Sequence, residues 1–192
     1  DYSEYYSQMP AHNTVVVDGV SSYPVMMSQH AFKVISVYPE VSAEKSASKK
    51  LSEQKEKMTY ATVSFLEPET QAEQQRTTAI VKTSDKGGYY IDVFRSRKKE
   101  GGDKTHDYFY HNLGQEMKVM DAASGKVLDM KPTEELAFAG GHLYAYSYIY
   151  NKVSAEMTSS VKTQFVTRIE DENVVAAMDN QKEIAMTMWM KA

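Results

Sequence analysis

Apolar residues return at every second position along most of this chain, a period that suits half-buried strands and not helices. Phe32-Lys33-Val34-Ile35-Ser36-Val37-Tyr38 and the run from Tyr60 to Leu66 both carry it. Thr77 to Thr83 and Tyr89 to Ser96 flank Ser84-Asp85-Lys86-Gly87-Gly88, a glycine-containing hairpin connection. Ala122-Ala123-Ser124-Gly125-Lys126 joins Met117-Lys118-Val119-Met120 to Val127-Leu128 in the same way. Further strands are expected at His142 to Tyr150, Val161 to Ile169, Asn173 to Met178 and Glu183 to Met190. Strands separated by turns about every ten residues imply an all-β, antiparallel sandwich. No repeat of about 20–50 residues is present, which argues against a solenoid.

One segment breaks the pattern. Residues 41–57 are almost free of large apolar side chains, so they have little surface to bury. Their Ala, Glu, Lys and Gln favour a short solvated helix, and a polar loop insertion fits equally well. Lys45, Lys49 and Lys50 would allow a second use, a grip on phosphate or sulfate.

At 192 residues, with 42% hydrophobic and 25% charged residues, the chain has the material for one sandwich domain spanning 1–192. There is no cysteine, so no disulfide holds it. No apolar run is long enough for a membrane helix. A net charge of −4 gives no general basic field, so neither nucleic acid nor a membrane surface is an expected partner. The first residues, Asp1-Tyr2-Ser3-Glu4-Tyr5-Tyr6, already read as strand, and the last apolar run ends at Met190 without turn or cap. No export signal is visible. The expectation is a domain truncated at both ends.

Chemistry concentrates in Pro10-Ala11-His12-Asn13-Thr14-Val15-Val16-Val17-Asp18-Gly19. A β-branched run favours a strand, and Asp18-Gly19 closes it with turn residues. His12, fixed at the strand's start, has one defined direction, which suits a metal ligand or proton carrier as well as a packing role. Arg95 and Arg97 should share a strand face, next to Lys98 and Lys99. Arginine meets carboxylate or sulfate in bidentate geometry, so these two are candidate substrate-binding residues, with a solvated strand end as the alternative. His106 and His111, five apart, would face opposite sides of a regular strand and not share a metal. His30 and His142 are isolated. Tyr144, Tyr146, Tyr148 and Tyr150 would line one face of a strand, for sheet packing or for stacking on sugars. No elbow serine, phosphate loop or zinc-protease helix motif occurs.

The string His12-Asn13-Thr14-Val15-Val16-Val17-Asp18-Gly19 resembles the signature of the heparinase II/III-like polysaccharide lyases. So does the later run Tyr89-Tyr90-Ile91-Asp92-Val93-Phe94-Arg95, then Gly101-Gly102, then His106-Asp107-Tyr108-Phe109-Tyr110-His111. The two motifs stand in the family's order, and the likeness runs from about Tyr5 to Trp189. It implies the family's C-terminal β-sandwich, with a helical toroid domain as partner. It also implies cleavage of acidic, uronic-acid-containing polysaccharides, heparin- or heparan-sulfate-like or alginate-like, by β-elimination. His12 would be a zinc ligand completed by two ligands upstream, so no metal is expected in this chain alone. Tyr5 and Tyr6 would be possible cleft residues in catalysis. A polymer substrate implies a periplasmic or secreted protein. The alternative is a non-catalytic β-sandwich that binds carbohydrate or supports a partner.

Overall fold

The computed structural model describes residues 2–20, 32–40, 57–68, 70–85, 87–98, 100, 102, 104–134, 141–157 and 159–191. The strands, in chain order, are β1 (Val15–Val17), β2 (Lys33–Tyr38), β3 (Met58–Leu66), β4 (Glu73–Lys82) and β5 (Gly88–Arg97). They continue with β6 (His106–Tyr108), β7 (Glu116–Asp121), β8 (Lys131–Pro132), β9 (Val153–Ser154), β10 (Val161–Arg168) and β11 (Glu183–Met190). All pairings are antiparallel. The fold is all-β and sandwich-like, as the alternation implies. No helix among the described residues is long and apolar enough to cross a membrane.

A meander of β2, β3, β4 and β5 makes a four-stranded sheet, with a bulge between Val34 and Ser36. The β4–β5 hairpin turns where the glycines sit. Thr83 and Ser84 N–H groups both donate to the Gly87 carbonyl at 2.9 and 3.1 Å. A Cβ on Gly88 would lie 2.6 Å from the Val81 carbonyl oxygen, so the close strand approach there excludes a side chain. A second sheet has the order β11-β10-β7, leaving β11 as an edge strand. A ribbon of β1 and β6 lies across the first sheet: Val15, Val17 and Ala72 form a buried cluster with Phe94 of β5 against it. Val15, Val16 and Val17 are all buried, which requires cover on both faces of β1 and explains a run of three valines without alternation. Asp18 and Gly19 follow with φ of 53° and 69°, the left-handed turn that their side chains tolerate.

Three expected strands fold otherwise. Gly141–Tyr148 is a 3₁₀ helix in place of the strand read from His142 to Tyr150. Ala145 and Tyr146, consecutive in this turn, are both buried. Tyr146 donates to Asp107 Oδ2 at 2.7 Å and meets Phe109 edge-on at 5.3 Å, while Tyr148 stacks on Tyr5. Glu172–Ala177 is an α-helix, α1, in place of the strand read from Asn173 to Met178. Asp171 decides it by accepting the Asn173 and Val174 N–H groups at 2.8 and 3.2 Å, an N-cap signal that the apolar pattern hid. Tyr2–Tyr6 is one π-helical turn, closed by the Ser7 N–H on the Tyr2 carbonyl at 2.9 Å, where a strand was expected. The polar segment 41–57 lies outside the described residues apart from Lys57.

Tyr146 therefore anchors a helix on the ribbon through one buried hydroxyl. Tyr146→Phe leaves the ring in place and strips Asp107 of a donor, so it should cost about 1–3 kcal/mol in urea unfolding. Tyr150→Phe, at a residue 78% exposed, should leave the curve unchanged.

Candidate functional site

The segment around His12 is held on both sides. Pro10 is buried in the 3₁₀ turn Met9–Ala11, and the His12 N–H closes that turn on the Met9 carbonyl at 3.0 Å. His111 donates from Nε2 to the Pro10 carbonyl at 2.7 Å and from its backbone N–H to Asn13 Oδ1 at 2.5 Å. Arg76 of β4 donates from Nη1 to the Asn13 carbonyl at 2.7 Å. Residues 10 and 13 are thus pinned, and the His12 imidazole between them is exposed.

Arg76 spends its remaining donors on Asp92 of β5. Nε reaches Oδ1 at 2.9 Å and Nη2 reaches Oδ2 at 2.5 Å, a bidentate pair, with the guanidinium 5.4 Å above the Phe94 ring. Tyr108 of β6 donates its hydroxyl to Asp92 Oδ2 at 3.1 Å. The hydrogen bond to Asp92 raises the Arg76 pKa still further, so this cation is permanent. Burial, followed by the Asp92 charge, pushes the Tyr108 phenol from 10.0 up to about 12. Arg76, Asp92 and Tyr108 line a cavity of about 1640 Å³ with Asn13, Ser96 and His106. Tyr90 of β5 and Ala185 to Lys191 along β11 form its walls. Exposed aromatic rings beside hydrogen-bonding groups suit a sugar polymer, whose apolar ring faces stack while its hydroxyls need partners.

The sequence-predicted residues fall in separate places. Tyr5 stacks on Tyr148 at 5.4 Å and meets Tyr6 edge-on at 5.6 Å; neither Tyr5 nor Tyr6 lines the cavity. Burial, then the charge of Tyr6, raises the Tyr5 pKa, which favours a phenol over a phenolate and makes it a poor base. Arg95 borders a smaller recess with Ile35, Thr62 and Thr77. It shares its strand face with Arg97, opposite to the face of Phe94 and Ser96 that carries the ribbon. His106 bonds Ser96 Oγ at 2.9 Å and His111 serves the Pro10 loop, so the two histidines work apart. His30, Lys45, Lys49, Lys50 and Lys99 lie outside the described residues, as does the side chain of His142. Among the described residues no three His, Asp or Glu side chains gather as a metal site, and His12 alone does not make one.

Two residues escaped the sequence reading. Arg76 shares its face of β4 with Gln74 and Thr78, so alternation gave it no special weight. Trp189, the sole tryptophan, is 67% exposed on the wall of the cavity, which alternation alone could not foretell. The two motif runs meet in space. β1 pairs with β6, the Phe109 N–H donates to the Thr14 carbonyl, and Asp18 accepts the Thr105 N–H while pairing with Lys104.

Comparison with known proteins adds one match to this geometry. The chain is 31% identical over 135 residues, 69% of its length, to an endo-acting ulvan lyase of Formosa agariphila. This chain is related to a polysaccharide lyase. The aligned part is 16% of that relative. No family model matches the chain, so the likeness to heparinase II/III-like enzymes rests on the motifs alone. No solved structure matches it.

The raised Tyr108 pKa has a testable sign. The unfolded phenol ionises near pH 10.0 and the folded one near 12, so its contribution is complete below pH 10.0. It is lost as pH rises through about 12. Tyr108→Phe should flatten the alkaline fall in melting temperature over that window and lower stability at neutral pH, followed by circular dichroism melts across pH.

Proposed function

We propose that this chain is the β-sandwich part of a polysaccharide lyase that cleaves a uronic-acid-containing polysaccharide by β-elimination. The observation that carries the reading is the likeness to an ulvan lyase over 69% of the chain. The Arg76–Asp92–Tyr108 cavity with aromatic walls supports it chemically. Ulvan is the first substrate to test, with heparan-sulfate-like and alginate-like polymers next. β-Elimination needs a group to neutralise the uronate carboxylate, a base for the neighbouring proton and an acid for the departing glycosidic oxygen. The described residues do not assemble that trio, because the cavity's arginine is committed to Asp92. A helical toroid domain of the same enzyme would supply most of it. In this reading the enzyme meets its polymer in the periplasm or outside the cell.

Full-length protein incubated with ulvan, heparan sulfate and alginate should raise the ultraviolet absorbance of the unsaturated product on at least one. No product from any of the three, with binding retained, would favour the non-catalytic carbohydrate-binding reading.

His12 enters as a zinc ligand whose two partners come from elsewhere in the enzyme. Its exposed imidazole on a doubly pinned loop is the supporting geometry. His12→Ala in the full-length protein should lower bound zinc and melting temperature together, since a metal held only by the folded state stabilises it. Full zinc occupancy in the mutant would remove His12 from the ligand set. Loss of rate alone would make it a proton carrier, and loss of stability alone a packing residue.

A further inference from the structure

Arg76 and Lys191 line the cavity, and Lys162 stands beside it on the strand next to its β11 wall. Arg76 is neutralised by Asp92. Lys162 of β10 is paired with no carboxylate among the described residues. It stands directly across the strand pair from Trp189, and its ammonium lies 5.6 Å over the indole. That contact places an uncompensated positive charge at the ring of Trp189, which lines the cavity, while Lys162 itself stands on the adjoining strand outside the lining. Tyr90 of β5 lines the same cavity and is 83% exposed.

An exposed indole with an unpaired ammonium is a recognition pair for one chemistry. The ring stacks on the apolar face of a sugar, and the cation meets a carboxylate or sulfate on it. A neutral glycan would use the ring and gain nothing from the lysine. Resting on the lyase reading above, we propose that Trp189, Lys162 and Tyr90 form a subsite for an acidic sugar unit of the polysaccharide, set in the β-sandwich itself. The Arg76–Asp92–Tyr108 group holds the cavity in shape, and the discrimination of charge resides at Lys162 beside Trp189.

Affinity electrophoresis of the 192-residue chain through gels carrying ulvan, heparan sulfate or neutral dextran tests this. Wild type should be retarded by an acidic polymer and pass through dextran. Trp189→Ala and Tyr90→Ala should each weaken retention about tenfold, equivalent to about 1.4 kcal/mol. Trp189→Phe should restore most of it. Lys162→Gln should weaken retention and flatten its dependence on salt, because a screened charge has been removed. Tyr150→Ala, at an exposed tyrosine away from the cavity, serves as the control for surface aromatics and should change nothing.

Equal retention by dextran, no retention of wild type, or unaltered retention of the Trp189 and Tyr90 alanine variants would overturn the subsite. Should Trp189→Ala fail to fold, Lys162→Gln still decides: an unchanged salt dependence counts against the proposal. Cleavage by the full-length protein separates the two readings. Cleavage with the same KM in Lys162→Gln and Trp189→Ala as in wild type, alongside unaltered retention, removes the subsite and leaves the lyase. Selective retention without cleavage keeps the subsite and removes the lyase.

Discussion

One guanidinium ties the ribbon to the four-stranded sheet. Arg76 stands on β4 and reaches in three directions: to the Asp92 carboxylate on β5, to the Asn13 carbonyl ahead of β1, and over the Phe94 ring. Each donor faces a partner that would otherwise be left under-satisfied on a half-covered surface, which is costly. The same carboxylate accepts the Tyr108 hydroxyl from β6. Arg76 and Asp92 therefore connect β4, β5, β6 and the His12 loop through four hydrogen bonds, where burial is too shallow for apolar packing to do it. The apolar cluster beneath, Val15, Val17 and Ala72 with Phe94, is small and could not set the register of the ribbon alone.

This arrangement gives the sequence motifs a physical meaning. Asn13 and Asp92 come from motif runs almost eighty positions apart, and Arg76 bonds both. His111, at the end of the second run, closes the loop from its other side through Pro10 and Asn13. The two runs thus bond to one another along β1 and β6, while His12 and Tyr90 are left exposed. A residue held in a stiff frame and left exposed is poised to meet something outside the frame, and that is the case for assigning ligand contact to these two before their neighbours.

Strands were legible wherever one face meets a neighbour and the other meets solvent. β11 was read from Glu183 to Met190, its observed bounds, and β2, β3, β5, β7 and β10 within about two residues of theirs. Reading failed where tertiary contacts set the conformation. The 141–148 turn has the tyrosine period of a strand, yet the Asp107 carboxylate and the Phe109 ring hold Tyr146 inside beside Ala145 in a helical turn. At α1 the local signal was present in Asp171 but was outweighed by two adjacent valines. Of the site, Asp92 and Tyr108 were visible only as letters in a motif. Their pairing with Arg76 depends on which strands are neighbours, and alternation does not encode that.

Arg76 and Lys162 are both half-buried, and of the two only Arg76 is paired with a carboxylate among the described residues. Arg76 is held bidentately by Asp92, so it offers a ligand little net field. Lys162 has its ammonium over an indole ring, which is attracted to it without neutralising it. An incoming anion gains the full pairing there and displaces no internal carboxylate. At Arg76 it would have to break a bidentate bond first. The two cations therefore divide the tasks: the half-buried Arg76–Asp92 pair ties the ribbon to the sheet, and Lys162 with Trp189 is free to discriminate one glycan from another by charge.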